Sequence, residues 1–296
     1  MRISPSDGGT RGEATDLPRV AWKAELTLRF GRVADRSVVA ERLHYGPLIV
    51  QKPLYPEGPG VCHTIVIHPP GGVAGGDELS LRMALDAGTH ALVTTPAAGK
   101  WYKAGGSLAR QDGARQDGTF TVGDGAVLEW LPLETIVFDA ADATMNWHVN
   151  LAGNAAYAGW EVTCLGRRAS GERFLTGFLR QAIRIFRDGA QLWGDLVAFK
   201  GSDPLMHSIV GLRGCSVFGT MVVAAGVLPT EILERCRALK PGDDAGCGVT
   251  ALPEIFAARY LGHSAERAKA YFAALWTELR PWYAGRPAHR PRLWDT

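Results

Sequence analysis

Trp22, Ala24, Leu26, Leu28 and Phe30 alternate with Lys23, Glu25, Thr27 and Arg29. A period of two is the mark of a strand with one face in a core and one in water. Similar apolar runs recur at 61–68, 79–85, 89–95, 126–131, 144–151, 159–165, 179–186 and 191–199. Turn residues separate them by about 8 to 15 positions, the rhythm of stacked or sandwiched sheets. The run 217–228 is too short to span a membrane and reads as a buried strand pair. Helices come late: 229–239 and 253–261 are short candidates, and Ser264 offers a cap for a longer helix from Ala265. Along that helix Ala268, Tyr271, Phe272, Leu275, Trp276 and Leu279 follow the i, i+3, i+4 rule, and Pro281 is expected to end it. The stripe fits a helix packed on its own sheet or a docking face for a partner, with Tyr271, Phe272 and Trp276 as its contacts. The pattern predicts a mainly β chain with a few short helices near the C-terminus. Without a fixed repeat, it leaves sandwich and β-helix both open.

Composition narrows the function classes. The 36 glycines and 17 prolines favour many turns over a helical bundle. A formal net charge of +2 gives no footprint for nucleic acid, and the basic stretch 286–292 reads as a solvated tail. Five cysteines without paired spacing indicate reduced thiols and a cytoplasmic protein. The first residues are polar and lack an apolar core, so the expected organisation is a disordered tail over 1–18, one β-rich domain over 19–285 and a C-terminal tail over 286–296.

Gly71, Gly72, Gly75 and Gly76 lack the lysine and hydroxyl of a phosphate loop, and no metalloprotease, paired-cysteine or nucleophile-elbow motif occurs. The chain is therefore expected not to be an enzyme. Asp77 either closes the glycine turn as a polar cap or has a functional role. Lys100, Trp101, Tyr102 and Lys103 form an aromatic-basic group suited to a protein interface or to an exposed strand end. Glu129, Glu134, Asp139, Asp142, Glu161 and Glu172 lie in apolar, strand-rich surroundings. Acids there are either paired with Arg167, Arg168, Arg180 or Arg184, or they line a wet passage that focuses cations. His68, His148 and Cys164 are candidates for occasional stronger metal stations or for packed core positions.

The segment HPPGGVAGGDELSLRMALDAGTHALVTTPAAGKWYK, from His68 to Lys103, is joined in order by Leu128 to Pro132, Glu134 to Asp139, Gly159 to Glu161, Cys164 to Arg167, Ala169 to Glu172 and Arg187 to Gly189. Over roughly residues 60 to 195 this closely resembles the urease accessory protein D family, UreD. The resemblance implies a large helical-type β-sheet fold. It also implies a non-catalytic maturation factor that joins the accessory protein UreF and the GTPase UreG, docks on apo-urease and assists nickel insertion. No cofactor is bound permanently; nickel passes transiently. An internal passage is implied at Asp77, Glu134, Asp139 and Glu172, with Lys100, Glu161 and Arg167 as further polar motif positions. Gly171 is expected to turn the Glu172 carboxylate inward. The chain departs from the family pattern at Leu133, at Gly99 and over Gly194, Asp195 and Leu196. A rival reading is a carbohydrate-active β-helix enzyme with Glu134 and Asp139 as its acid and base. Another is a purely structural adaptor with no metal path.

Overall fold

The structure, a computed structural model, describes residues 21–104, 113–242 and 244–295. The tail expected over 1–18 lies outside them. Seven strands form one sheet: β1 (Lys23–Val33), β2 (Arg36–Tyr45), β5 (Glu78–Leu85), β8 (Ala114–Val122), β11 (Asp142–Leu151), β13 (Phe178–Arg187) and β14 (Ala190–Lys200). They run in the order β14-β13-β11-β8-β5-β1-β2. The other sheet has ten strands. Its main path uses β3 (Ile49–Val50), β4 (Cys62–Ile67), β6 (His90–Thr94), β9 (Val127–Trp130), β12 (Ala156–Leu165), β15 (Val217–Ala224), β16 (Gly246–Ala251) and β17 (Ile255–Gly262), in the order β16-β17-β15-β12-β9-β6-β4-β3. The short β7 (Gly99–Trp101) and β10 (Thr135–Val137) pair with each other beside β12.

From β4 to β13 the chain passes back and forth between the two sheets, and the strands of successive turns pair in parallel. Cys62 lies beside Ala91, Ala91 beside Leu128 and Leu128 beside Tyr157 in one wall. In the other, Glu78 lies beside Arg115, Arg115 beside Thr144 and Thr144 beside Arg180. The result is a flattened coil of β-strands, which is why sandwich and β-helix were both compatible with the pattern. The turns differ in length, so no sequence repeat marks them. Each wall ends in antiparallel pairs: β2 on β1 and β14 on β13 in one, β3 on β4 and the set β15, β17, β16 beyond β12 in the other.

Strand alternation sends side chains to two separate cores. Between the sheets lie Leu26, Leu28, Phe30, Leu81, Phe120, Trp147, Leu128, Trp130 and Tyr157 among others. On the outer face of the ten-stranded sheet, Ala158, Trp160, Val162, Met221 and Phe256 pack against α2 (Ala265–Ala284). The shorter α1 (Thr230–Ala238) adds Cys236 to that side. Strand β12, covered on both faces, is accordingly almost wholly buried.

Several expectations need correction. The segment 253–261 is not a helix but strand β17, whose apolar residues are buried on both faces and so lack visible alternation. Residues 217–228 supply one strand, β15, not two. Pro281 does not end α2. The helix runs on to Ala284 and stops at Gly285, whose φ of 65° accepts the left-handed turn and whose N–H reaches the Pro281 carbonyl. Ser264 does cap α2, accepting from the Arg267 amide. Strands β2, β8 and β16 were not anticipated: β2 is largely exposed, and the other two carry few apolar residues. The stretch expected as a solvated tail partly packs. Trp294 lies against the rings of Trp160 and Trp276, and its indole N–H donates to Thr94 Oγ1 at 3.0 Å. Among the described residues, no helix is long and apolar enough to cross a membrane.

Candidate functional site

A cavity of about 200 Å³ opens between the two walls, lined by His68, Gln116, Trp130, Trp147, Lys100 and Glu161 among others. A smaller one of about 40 Å³ continues on the far side of Trp147 and Glu161, which wall both, toward Gln181, Asp195 and Thr220. Gly118 makes this arrangement possible, because a Cβ there would lie 2.1 Å from the Trp147 ring. Parity on β12 aims Glu161 at this space, since its neighbours Trp160 and Val162 belong to the helix-side core. The Glu161 carboxylate accepts from the Trp130 indole N–H at 3.0 Å. Among the described residues, no basic side chain pairs with it. Burial therefore dominates and pushes its pKa up to about 7, with the Trp130 bond opposing.

His68 is the second unusual group. Both ring nitrogens are buried and, among the described residues, have no hydrogen-bond partner. Burial lowers its pKa, with the Asp77 charge working the other way, so the neutral ring keeps a lone pair for a metal. Glu161, bonded only to an indole among the described residues, and His68 thus put an oxygen and a nitrogen donor along one inter-sheet space, the carboxylate the weaker and the imidazole the stronger ligand for a late divalent cation. Among the described residues, no three histidine, cysteine or acidic side chains are grouped to hold a metal ion.

The four acids singled out for the passage are engaged elsewhere. Asp77 is buried and fastens the glycine turn, accepting from the amides of Trp22 at 3.0 Å and Ala74 at 2.8 Å. Glu134 lies 2.5 Å from Lys269 of α2. Asp139 accepts from the amides of Leu175 and Thr176, both at 2.8 Å; these bonds outweigh its modest burial and hold its pKa down. Gly171 has the anticipated positive φ of 76°, but Glu172 does not turn inward. It lies on the surface and accepts a fork from Arg167 at 3.1 Å on each oxygen, with the Arg167 bonds lowering its pKa. Glu134 and Asp139 therefore do not form an acid and base pair, since Lys269 engages one and backbone amides the other.

The remaining candidates also separate. His148 projects from the outer face of β11, stacked on Phe186 at 4.8 Å and bonded to Asn150. Cys164 faces the helix-side core, where burial pushes its thiol up to about 12, too high for a thiolate ligand. Trp101 is 2% exposed and belongs to the inter-sheet core, so it is not an interface residue. Tyr102 closes over Gly72 and packs edge-on to Phe138 at 4.9 Å; Lys103 is exposed. Tyr271, Phe272 and Trp276 are buried on the chain's own sheet, so the helix stripe is core and not a docking face.

Sequence reasoning missed an extended buried polar assembly. Glu129, wholly buried, accepts from Arg280 Nη2 at 2.9 Å, the Trp276 indole at 2.7 Å and the Tyr283 hydroxyl at 2.6 Å, and it contacts His90 at 2.9 Å. Arg280 also forks onto Glu57, which contacts His63 at 2.6 Å. Burial opposes the charge on both acids, but these partners win, holding Glu57 at about 2 and Glu129 well below the usual range. The partner of Glu129 is thus Arg280, from a position the strand motifs do not include.

Residues 23–295 match the family described as UreD urease accessory protein. The chain is 50% identical to the urease accessory protein UreD of Methylobacillus flagellatus over 275 residues, covering 93% of this chain and 95% of the relative. It is 50% identical to that of Dechloromonas aromatica over 279 residues, with 93% and 95% covered. For the UreD of Azoarcus the identity is 46% over 278 residues, with 93% and 94% covered.

Proposed function

Since the chain belongs to the UreD urease accessory protein family, whose members serve urease maturation as non-catalytic scaffolds, we propose that it acts in the cytoplasm with UreF, the GTPase UreG and apo-urease, and that nickel travels through its inter-sheet space. One observation carries the metal path: Glu161 is a carboxylate with no cationic partner among the described residues, standing in the wall common to both cavities. A charge so placed attracts a divalent ion. Oxygen ligands release such an ion readily, as a conduit requires. His68 offers a nitrogen donor in the larger cavity. In this reading Glu161 and His68 line the path, while Asp77, Glu134, Asp139 and Glu172 hold the walls in shape.

The engagement of those four acids also favours a second reading, an adaptor with no metal path. Glu161→Gln separates the two. It keeps the Trp130 bond and the packing but removes the charge. In urease matured with the variant, nickel content should fall severalfold while partner pull-down and melting temperature are kept. An unchanged nickel load per assembled complex would leave the adaptor standing.

A further inference from the structure

The inter-sheet space has a polar row that ends at a side chain placed to close it. In the ten-stranded sheet Glu161 lies beside Thr220 on β15, and Thr220 lies beside Arg259 on β17. In the facing sheet Trp147 lies beside Ile183, and Ile183 beside Asp195. The two rows run together from the centre of the coil outward, to β14 at the end of one sheet and to β17, the last strand but one, in the other. Glu161, Thr220, Trp147, Ile183 and Asp195 all line the smaller cavity. Arg259 stands at its outer end, with Nη1 2.5 Å from both Asp195 Oδ2 and Thr220 Oγ1, and with its guanidinium 5.8 Å from the Trp193 ring centre.

We propose that this side is a mouth of the inter-sheet passage and that Arg259 is its plug, latched by Asp195. The inference rests on the metal-path reading for its cargo but not for its geometry. The contrast with Arg280 is what distinguishes a plug from a staple. Arg280 is fully buried and held through several nitrogens, whereas Arg259 contacts its acid through one nitrogen and is 45% exposed, against 19% for Asp195. A half-exposed, single-nitrogen pair is weak and screened by salt, so it opens readily. Latched, the guanidinium blocks the row and repels cations. Released, it leaves Asp195 as an open carboxylate at the entrance, two strands outward from Glu161 on the facing wall.

The test measures access directly. Ile183→Cys places a thiol in the smaller cavity of the full-length chain, and its reaction with a small cationic methanethiosulfonate is followed by peptide mass mapping, which separates it from the five native cysteines. Adding Arg259→Gln should speed labelling about fivefold, the scale of one half-exposed ion pair. Arg259→Lys should stay near the parent rate, and raised salt should speed the parent but not Arg259→Gln. Asp195→Asn, which frees the plug without removing it, should also speed labelling; it serves as the second variant should Arg259→Gln fail to fold. Equal rates in the parent and in the folded Arg259→Gln or Asp195→Asn chain would overturn the plug. The nickel content of urease matured with Glu161→Gln judges the cargo separately. An unchanged load with latch-dependent labelling refutes the metal path and leaves the mouth; a lower load with latch-independent labelling does the reverse.

Discussion

Glu129 and Glu161 lie on neighbouring strands of one sheet, both in apolar surroundings, yet their chemistry diverges. Glu129 faces the helix layer, where Arg280, His90, Trp276 and Tyr283 surround it and its carboxylate is held ionised. Glu161 faces the opposite wall, has an indole for company, and is pushed up to about 7. The charge that is paired with Arg280 fastens the helix to the sheet. The other has no basic partner among the described residues, which is what the proposed metal path rests on. Burial alone does not separate a structural acid from a functional one; the partners do.

The sharpest way to break the comparison is to make Glu129 resemble Glu161. Arg280→Met leaves both Glu129 and Glu57 without their cation, and should cost about 3 to 5 kcal/mol of stability by denaturant titration, which is typical of breaking a buried pair from one side. A smaller effect belongs to acid. The Glu57 carboxyl is held at about 2, so its contribution is complete above its unfolded value near 4.5 and disappears as pH falls from there toward 2. The loss should be on the order of 2 kcal/mol, and Glu57→Gln should flatten that limb of the stability curve.

Glu161 behaves in the opposite sense. Its folded pKa of about 7 exceeds the unfolded value of 4.5, so the unfolded chain gives up this proton first, and stability falls as pH rises between the two values. Glu161→Gln should therefore match the parent below pH ~4.5 and exceed it by about 1 to 2 kcal/mol above pH ~7. A stabilised variant that delivers less nickel would separate function from folding at this residue. The smallest effect is expected at Glu172. Because its fork to Arg167 lies at the surface, Glu172→Gln should not measurably move the melting temperature. A large loss would show that the surface pair does more than its exposure suggests.

The same two acids show what one sequence can and cannot disclose. Alternation on β1 was readable because one face is wet, and the Ser264 cap because capping is local. Strand β17 was misread because burial on both faces erases alternation. Parity sets Glu161 opposite Trp160 and Val162 on any strand, yet nothing in the sequence says which face of β12 meets a cavity and which meets α2. The Glu129 network joins residues 151 positions apart, beyond any local rule. Gly171 beside Glu172 has the positive φ that its type suggests, but a glycine turn fixes the backbone and not the direction of the next side chain.

The coil has a consequence for how the protein comes into being. Its parallel strands meet only after a whole turn has been laid down, so closure between distant residues must precede any reward in pairing, and assembly is slow. Until β14 folds back on β13, and β17 on β15, each growing wall presents an unpaired edge on which another chain can dock. The antiparallel end strands are thus terminators as well as walls. A chain cut after β12 should keep the parallel edge of its last turn exposed, and should accumulate as aggregates during synthesis however sound its earlier turns are.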